Sequence, residues 1–305
     1  MNINMKTLSE KAMLVRLTRS APPTSKRNQQ AESLLEGLLG DDANVVSTKL
    51  FKNPDNAVRR LLNLYGHKYR HHTRLSLPHE DRGARLLPVT AYDAYIKAQR
   101  AIDADIERLQ PIVLQNYHKW VQTDLDERTA RATVRGIQST ASLADYPTQQ
   151  DFEQRLSASI KFSTLPDARH PLFDSSDAEL AEVQEQMKQE IDALEQEITR
   201  RVSDDLKGRM QKPLKHLIEK LKLPIGEEGH IFRDTAITNI ADACDEVKAL
   251  CMGDPDLLGA AEELRAAVTP LRVAPHVVRE SPVVRAAACK RLQDVAEKMG
   301  FMFGG

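Results

Sequence analysis

The chain has 305 residues, 41% hydrophobic and 29% charged, with 13 Gly and few aromatics, a size and composition that allow a substantial core in a helix-rich globular protein. No apolar run approaches the ~20 residues of a membrane span, and "MNINMKTLSEKAMLVRL" has neither a signal-peptide core nor a cleavage site, so a cytosolic location is expected. The net charge of −1 hides an asymmetry: residues 1–85 carry 15 Lys and Arg against 8 Asp and Glu, the remainder 28 against 36. Such a split speaks to partners rather than to fold.

Along the chain, "KAMLVRLTR" (Lys11–Arg19) alternates as a strand does, and "SAPPTSKRN" ends it. "NQQAESLLEGLLG" reads as a short helix closed by Gly40, and "STKLF" (Ser47–Phe51) as a second short strand. In "NPDNAVRRLLNLYGHKYRHH", Asn53 is the expected N-cap and Pro54 the first helical residue, followed by Val58, Leu61, Leu62 and Tyr65 at helical spacing. "TRLSLPHEDRGARLLP" reads as a hairpin around a Pro/Asp/Gly loop.

From Thr90 to Asp124 apolar residues recur at helical spacing, with a kink or division expected at Pro111. A turn and a short helix follow in "DYPTQQDFEQRL", then a strand over Ser157–Leu165. The strongest periodicity lies between residues 176 and 222. Leu180, Val183, Met187, Ile191, Leu194, Ile198, Val202 and Leu206 form a heptad-like seam, with Ser175 or Ser176 as cap and a kink or break expected at Pro213. A stripe this narrow needs a partner helix. Thr90–Asp124 is the intramolecular candidate, giving an antiparallel coiled-coil-like arm, and self-association through the 176–222 helix is the competing arrangement.

Three more helices are expected over Phe232–Met252, Asp256–Val268 and Ser281–Met299, before the apolar tail "MGFMFGG". Asp234 would cap the first of them, with Arg233 paired to an acidic neighbour. The expected architecture is mostly α with a small antiparallel β element. It comprises a basic α+β region (1–89), a helical arm (90–225) with a strand inserted near 157–165, and a C-terminal helical region (226–305). Cys244, Cys251 and Cys289 follow no C-x-x-C spacing and are expected as buried thiols.

Three segments, "YRHHTRLSLPHEDRGARLLP" continuing to Tyr92, "SASIKFSTLPD" and "IFRDTAITNI" (Ile231–Ile240), resemble in that order blocks of a family of uncharacterised proteins of bacteriophages and conjugative elements. The resemblance covers residues 58 to 241. It implies a helical protein, sometimes encoded beside a MoxR-type AAA+ ATPase and a von Willebrand A-type protein, and carries over no catalytic residue. Where the family pattern has Trp after "LP", this chain has His79.

The segment Tyr65–Pro88 concentrates chemistry. His67 and His71 stand at i,i+4, with His72 and His79 nearby, a spacing able to share a divalent ion. The residues between them are Lys68, Tyr69 and Arg70, so the H-E-x-x-H pattern of zinc hydrolases is absent and fixed cations would oppose a metal. Arg59, Arg60, Lys68, Arg70 and Arg74 would instead form a basic stripe, with Tyr65 and Tyr69 as stacking surfaces for DNA or RNA. A solvated helix face with the rings packed inward explains the same residues without a ligand.

No Walker A, G-x-G-x-x-G or G-x-S-x-G sequence is present. The expectation is therefore a non-catalytic interaction or assembly protein, without cofactor or metal, whose basic N-terminal region contacts nucleic acid or another polyanion. An adaptor for a AAA+ ATPase is the alternative, and a metal-dependent enzyme using His67 and His71 a remote third.

Overall fold

The computed structural model describes residues 5–302 other than 30, 31, 34, 36, 38–45, 80–82, 137, 138, 166–180 and 274. The elements run α1 (Met5–Lys11), β1 (Ala12–Ser20), β2 (Ser25–Arg27), β3 (Ser47–Lys49), α2 (Ala57–Arg74), β4 (Leu77–Pro78), β5 (Ala84–Pro88), α3 (Val89–Gln115) and α4 (Tyr117–Val134). After a 3-10 turn (Leu143–Asp145) come α5 (Gln149–Arg155), β6 (Ser157–Ser163), α6 (Ala181–Lys222), α7 (Asp234–Leu250), α8 (Pro255–Val273), α9 (Pro275–Glu280) and α10 (Pro282–Met302). The fold is mostly α, with a four-stranded sheet in the order β4-β5-β1-β6 and a two-stranded sheet of β2 and β3. β1 lies antiparallel to β5 with Ala12 opposite Pro88, and the expected hairpin pairs Leu77 with Leu86. The expected Gly40 and Ser175/Ser176 caps, Leu180, the hairpin tip at 80–82 and the end of the apolar tail lie outside the described residues, as do the side chains of Val183 and Met187.

Contacts divide the chain into two compact units, Met1–Arg16 with Thr73–Ala94 and Phe162–Gly305, and Leu17–His72 with Tyr95–Lys161. In the first, Ile198, Val202, Leu206, Met210, Leu214, Leu217 and Leu221 of α6 are buried at steps of three and four. α7 and α10 cover this seam, and α8 packs on both. A narrow apolar stripe accepts any complementary face, and Ile237, Ile240, Ala241, Cys244 and Val247 of α7 provide one. Within this unit α6 is the centre of a helical bundle, and the expected antiparallel coiled-coil arm is not confirmed. All three cysteines are buried and free, as expected.

Of the kink or division expected at each proline, the division does not occur there. α6 continues through Pro213 and α3 through Pro111. Pro111 is exposed, so the carbonyl it leaves unpaired can meet water. The division falls at Asn116, whose side chain donates back to the Ile112 carbonyl at 3.0 Å and competes with continued helix. Likewise α2 starts later than expected. The Asn53 side chain accepts from the Asp55 N–H to make a turn, and Asn56 is the cap, accepting from the Val58 N–H at 3.0 Å.

Within the first unit, arginines close helix C-termini. Arg85 and Arg209 both donate to the Thr73 carbonyl in the last turn of α2 and to the Ser76 carbonyl just beyond it. Arg285 of α10 is buried, and its guanidinium donates to the carbonyls of Leu221 (3.1 Å), Lys220 and His230 (2.9 Å) at and beyond the end of α6. A cation there satisfies orphan carbonyls and meets the negative end of the helix dipole. Burial without a carboxylate partner pulls the Arg285 pKa below the usual arginine range. At α7, Asp234 is the first helical residue rather than the cap. Arg279, not Arg233, pairs with it at 2.6 Å because α9 presents Arg279 to both Asp234 and the Phe232 carbonyl.

The second unit is built on Leu50, Phe51, Val58, Leu61, Leu62 and Tyr65 packed against Ile102, Ile106, Val113, Tyr117, Val121, Tyr146 and Phe152. Tyr117 and Phe152 lie 4.8 Å apart between ring centroids. Among the described residues, no helix is long and apolar enough to cross a membrane.

Replacing Arg285 by Met keeps much of the volume but takes the donor from three carbonyls, one buried and two partly buried. The expected loss is about 3 kcal/mol of unfolding free energy, measured by denaturant titration of the full chain.

Candidate polyanion-binding groove

The stripe expected on α2 does not gather. Tyr65 is buried in the second unit's core and donates its hydroxyl to Gln110 Oε1 at 3.1 Å. Lys68 is 2% exposed and paired with Asp103, while the buried His72 ring is hydrogen-bonded to the Tyr95 hydroxyl at 2.8 Å. Arg74 belongs to the other unit and is paired with Glu246. Arg59 is half-buried, Arg60 and Arg70 are exposed, and Tyr69 is half-exposed with the Arg19 guanidinium 5.4 Å from its ring centroid. The helical period explains this: Lys68 and His72 fall on the apolar face set by Leu61 and Tyr65, so that face takes them inward. Among the described residues, no three of His, Cys, Asp and Glu come together as metal ligands would.

A different set of cations does converge, in the second unit. Arg128, Arg131 and Arg135 stand at i, i+3 and i+7 along α4 and its C-cap, within about 60° of helix arc. They face Lys49 and Lys52, which flank the end of β3. Together with Ser47, Thr48, Ser139 and Thr140 they line a groove of about 560 Å³. A second depression of about 210 Å³ shares Asn28, Thr48, Arg128 and Thr140, and adds Lys26 and Arg27. Among the described residues, no carboxylate lines the larger groove.

The arrangement rests on a buried carboxylate. Asp124 is fully buried, and its Oδ2 accepts from the Phe51 N–H at 2.9 Å and from the Tyr146 hydroxyl at 2.7 Å. Phe51 has φ +49°, in the left-handed region that costs a non-glycine residue about 1–2 kcal/mol. The Asp124 bond and the edge-on contact of its ring with Tyr146, 5.3 Å between centroids, offset that cost. The sharp backbone turn at Phe51 sets Lys52 beside α4. The Asn53 side chain completes the attachment by donating to Glu127 at 2.7 Å.

Tyr146 also accepts from Arg128 at 3.1 Å, and Arg128 pairs with Asp145 at 2.9 Å. Asp145 further holds Lys26 at 3.1 Å. Burial raises the Asp145 pKa, but hydrogen bonds from Lys26, the Ser142 backbone and Arg128 outweigh it and hold the carboxyl below its ordinary range. Arg131 is paired with Glu127 at 3.5 Å. Lys49, Lys52 and Arg135 are exposed and form no ion pair among the described residues. Gly136, at φ +67°, ends α4 immediately after Arg135 and turns the chain towards Ser139 and Thr140.

Chemically, three cations without counter-ions, two paired ones and several hydroxyls suit the oxygens of consecutive phosphates, with no aromatic ring among the groove residues, all counted among the described residues. The sequence carried a signal for it, the R-x-x-R-x-x-x-R spacing of "RTARATVR", which lies in the acidic portion where net charge draws attention away.

Asp124→Ala leaves the Phe51 N–H buried and unpaired and removes the acceptor of the Tyr146 hydroxyl. A loss of about 3 kcal/mol is expected in equilibrium unfolding. Because the folded-state pKa of Asp145 is lowered, its contribution is present above the unfolded value of about 3.9 and disappears as pH falls through the folded value. The stability gap between the wild type and Asp145→Asn, followed by thermal unfolding, should therefore narrow between about pH 5 and pH 3.

No family description, curated protein or solved structure matches this chain.

Proposed function

We propose that this protein binds the phosphate backbone of nucleic acid through the groove of Lys49, Lys52, Arg128, Arg131 and Arg135, and that it acts by binding rather than by catalysis. The observation that carries this reading is the convergence of five cations on a groove where, among the described residues, no carboxylate lines the wall and three of the cations have no ion pair. Such a surface gains affinity by releasing counter-ions from the polyanion, without regard to sequence. The basic surplus of residues 1–85 supplies part of it, through Lys26, Arg27, Lys49 and Lys52. A role in bacteriophage or conjugative-element biology, drawn from the resemblance of Tyr69–Tyr92 and the two later segments, fits a protein that engages nucleic acid during assembly.

Fluorescence anisotropy with labelled oligonucleotides, from about 50 to about 200 mM salt, tests this. Binding is expected to weaken steeply as salt rises. Lys52→Glu/Arg135→Glu should lower affinity at least about tenfold, and Lys52→Ala alone should flatten the salt slope by nearly one. Arg70→Gln, on the exposed side of α2, should leave affinity within about twofold. Salt-insensitive binding, or a double reversal that binds like the wild type, would refute the assignment.

A further inference from the structure

α4 carries a second recess at its other end. Trp120, Leu64, Leu109 and Ile112 form the apolar part of a pocket of about 600 Å³, with Arg60 and Arg108 among its lining residues. Its volume lies in the range of sites that take one small molecule. Ile112 is 49% exposed, and Arg60 is exposed without an ion pair among the described residues, while Arg108 is held by Asp105 at 2.7 Å. Apolar surface bordered by guanidinium groups matches a flat ring flanked by phosphates, and the carboxylate of Asp55 adds an acceptor for exocyclic amino groups.

The pocket and the basic groove are parts of one surface within the second unit. Trp120 and Arg131 are separated by about 16 Å along α4 but by only about 20° around it. The stretch from Lys49 to Asp55 reaches both, since Lys49 and Lys52 line the groove and Asp55 lines the pocket. That stretch is tied to α4 through Phe51 to Asp124 and Asn53 to Glu127, and just beyond it the Asn56 side chain donates to the Trp120 carbonyl at 3.1 Å.

We infer that the preferred ligand is single-stranded nucleic acid, with phosphates in the basic groove and one unstacked base in the Trp120 pocket. This rests on the groove reading and adds a base site to it. A paired base is stacked within its helix and unavailable to the pocket, so a duplex engages the groove alone.

Trp120 is the chain's one tryptophan, so tryptophan emission, excited selectively at wavelengths that the six tyrosines do not absorb, reports the pocket alone. The full-length protein is titrated with a single strand of about 15 nucleotides, the same strand as a blunt duplex, and an abasic phosphodiester of equal length. The single strand is expected to change Trp120 emission and to bind at least about fivefold more tightly than the abasic strand. Duplex and abasic strands are expected to bind, by anisotropy, without moving the emission. Trp120→Leu should reduce the single strand to the affinity of the abasic one. If all three bind alike in a salt-dependent manner and emission stays constant, the base site is wrong and the groove stands. If none binds with salt dependence, both fail.

Discussion

A single buried carboxylate, Asp124, organises the surface on which the functional reading depends. Its Oδ2 is satisfied by the Phe51 N–H and the Tyr146 hydroxyl, which in turn accepts from Arg128. The left-handed backbone at position 51 brings its N–H inward to this carboxylate while Lys52 is exposed. Core chemistry and surface charge are thereby coupled. The same two-residue step that closes the core against Tyr146 sets a lysine facing the arginines of α4.

The protein uses cations in two distinct ways. Arg85, Arg209 and Arg285 spend their donors on carbonyls at helix C-termini, where burial is tolerable because the helix end supplies both acceptors and a favourable dipole. Lys68 and Arg74 are likewise committed, to Asp103 and Glu246. Such groups hold the fold and offer little to a ligand. Lys49, Lys52 and Arg135 are of the other kind, exposed and without counter-ions among the described residues. Counting basic residues along a segment cannot separate the two classes, because the distinction lies in what each side chain meets in space.

This division also bears on how a strand would be held. Arg128 is clamped by Tyr146 and Asp145, so it is preorganised and loses little side-chain freedom when a phosphate arrives. Lys49 and Lys52 are loose and contribute mainly charge. One anchored donor among mobile cations fixes position while leaving the contact indifferent to sequence.

The fold class was legible from local patterning. The hairpin at Leu77–Leu86, the strand at Ser157–Ser163, the helical period of α6 and the burial of three cysteines all depend on side-chain alternation or composition, which adjacent residues express by themselves. Helix ends were less legible, because Asn116 and Asn56 act through hydrogen bonds that compete with proline and Asn53 for the same role. The partners of α6 and the fate of the α2 cations depended on tertiary structure. A heptad seam specifies an apolar face but not its cover, and Lys68 reads as a surface lysine until Asp103 arrives from 35 positions away. The groove is the clearest case. Its lysines and arginines lie in segments some 80 residues apart, and only the packing of Phe51 onto Asp124 and Tyr146 makes them neighbours.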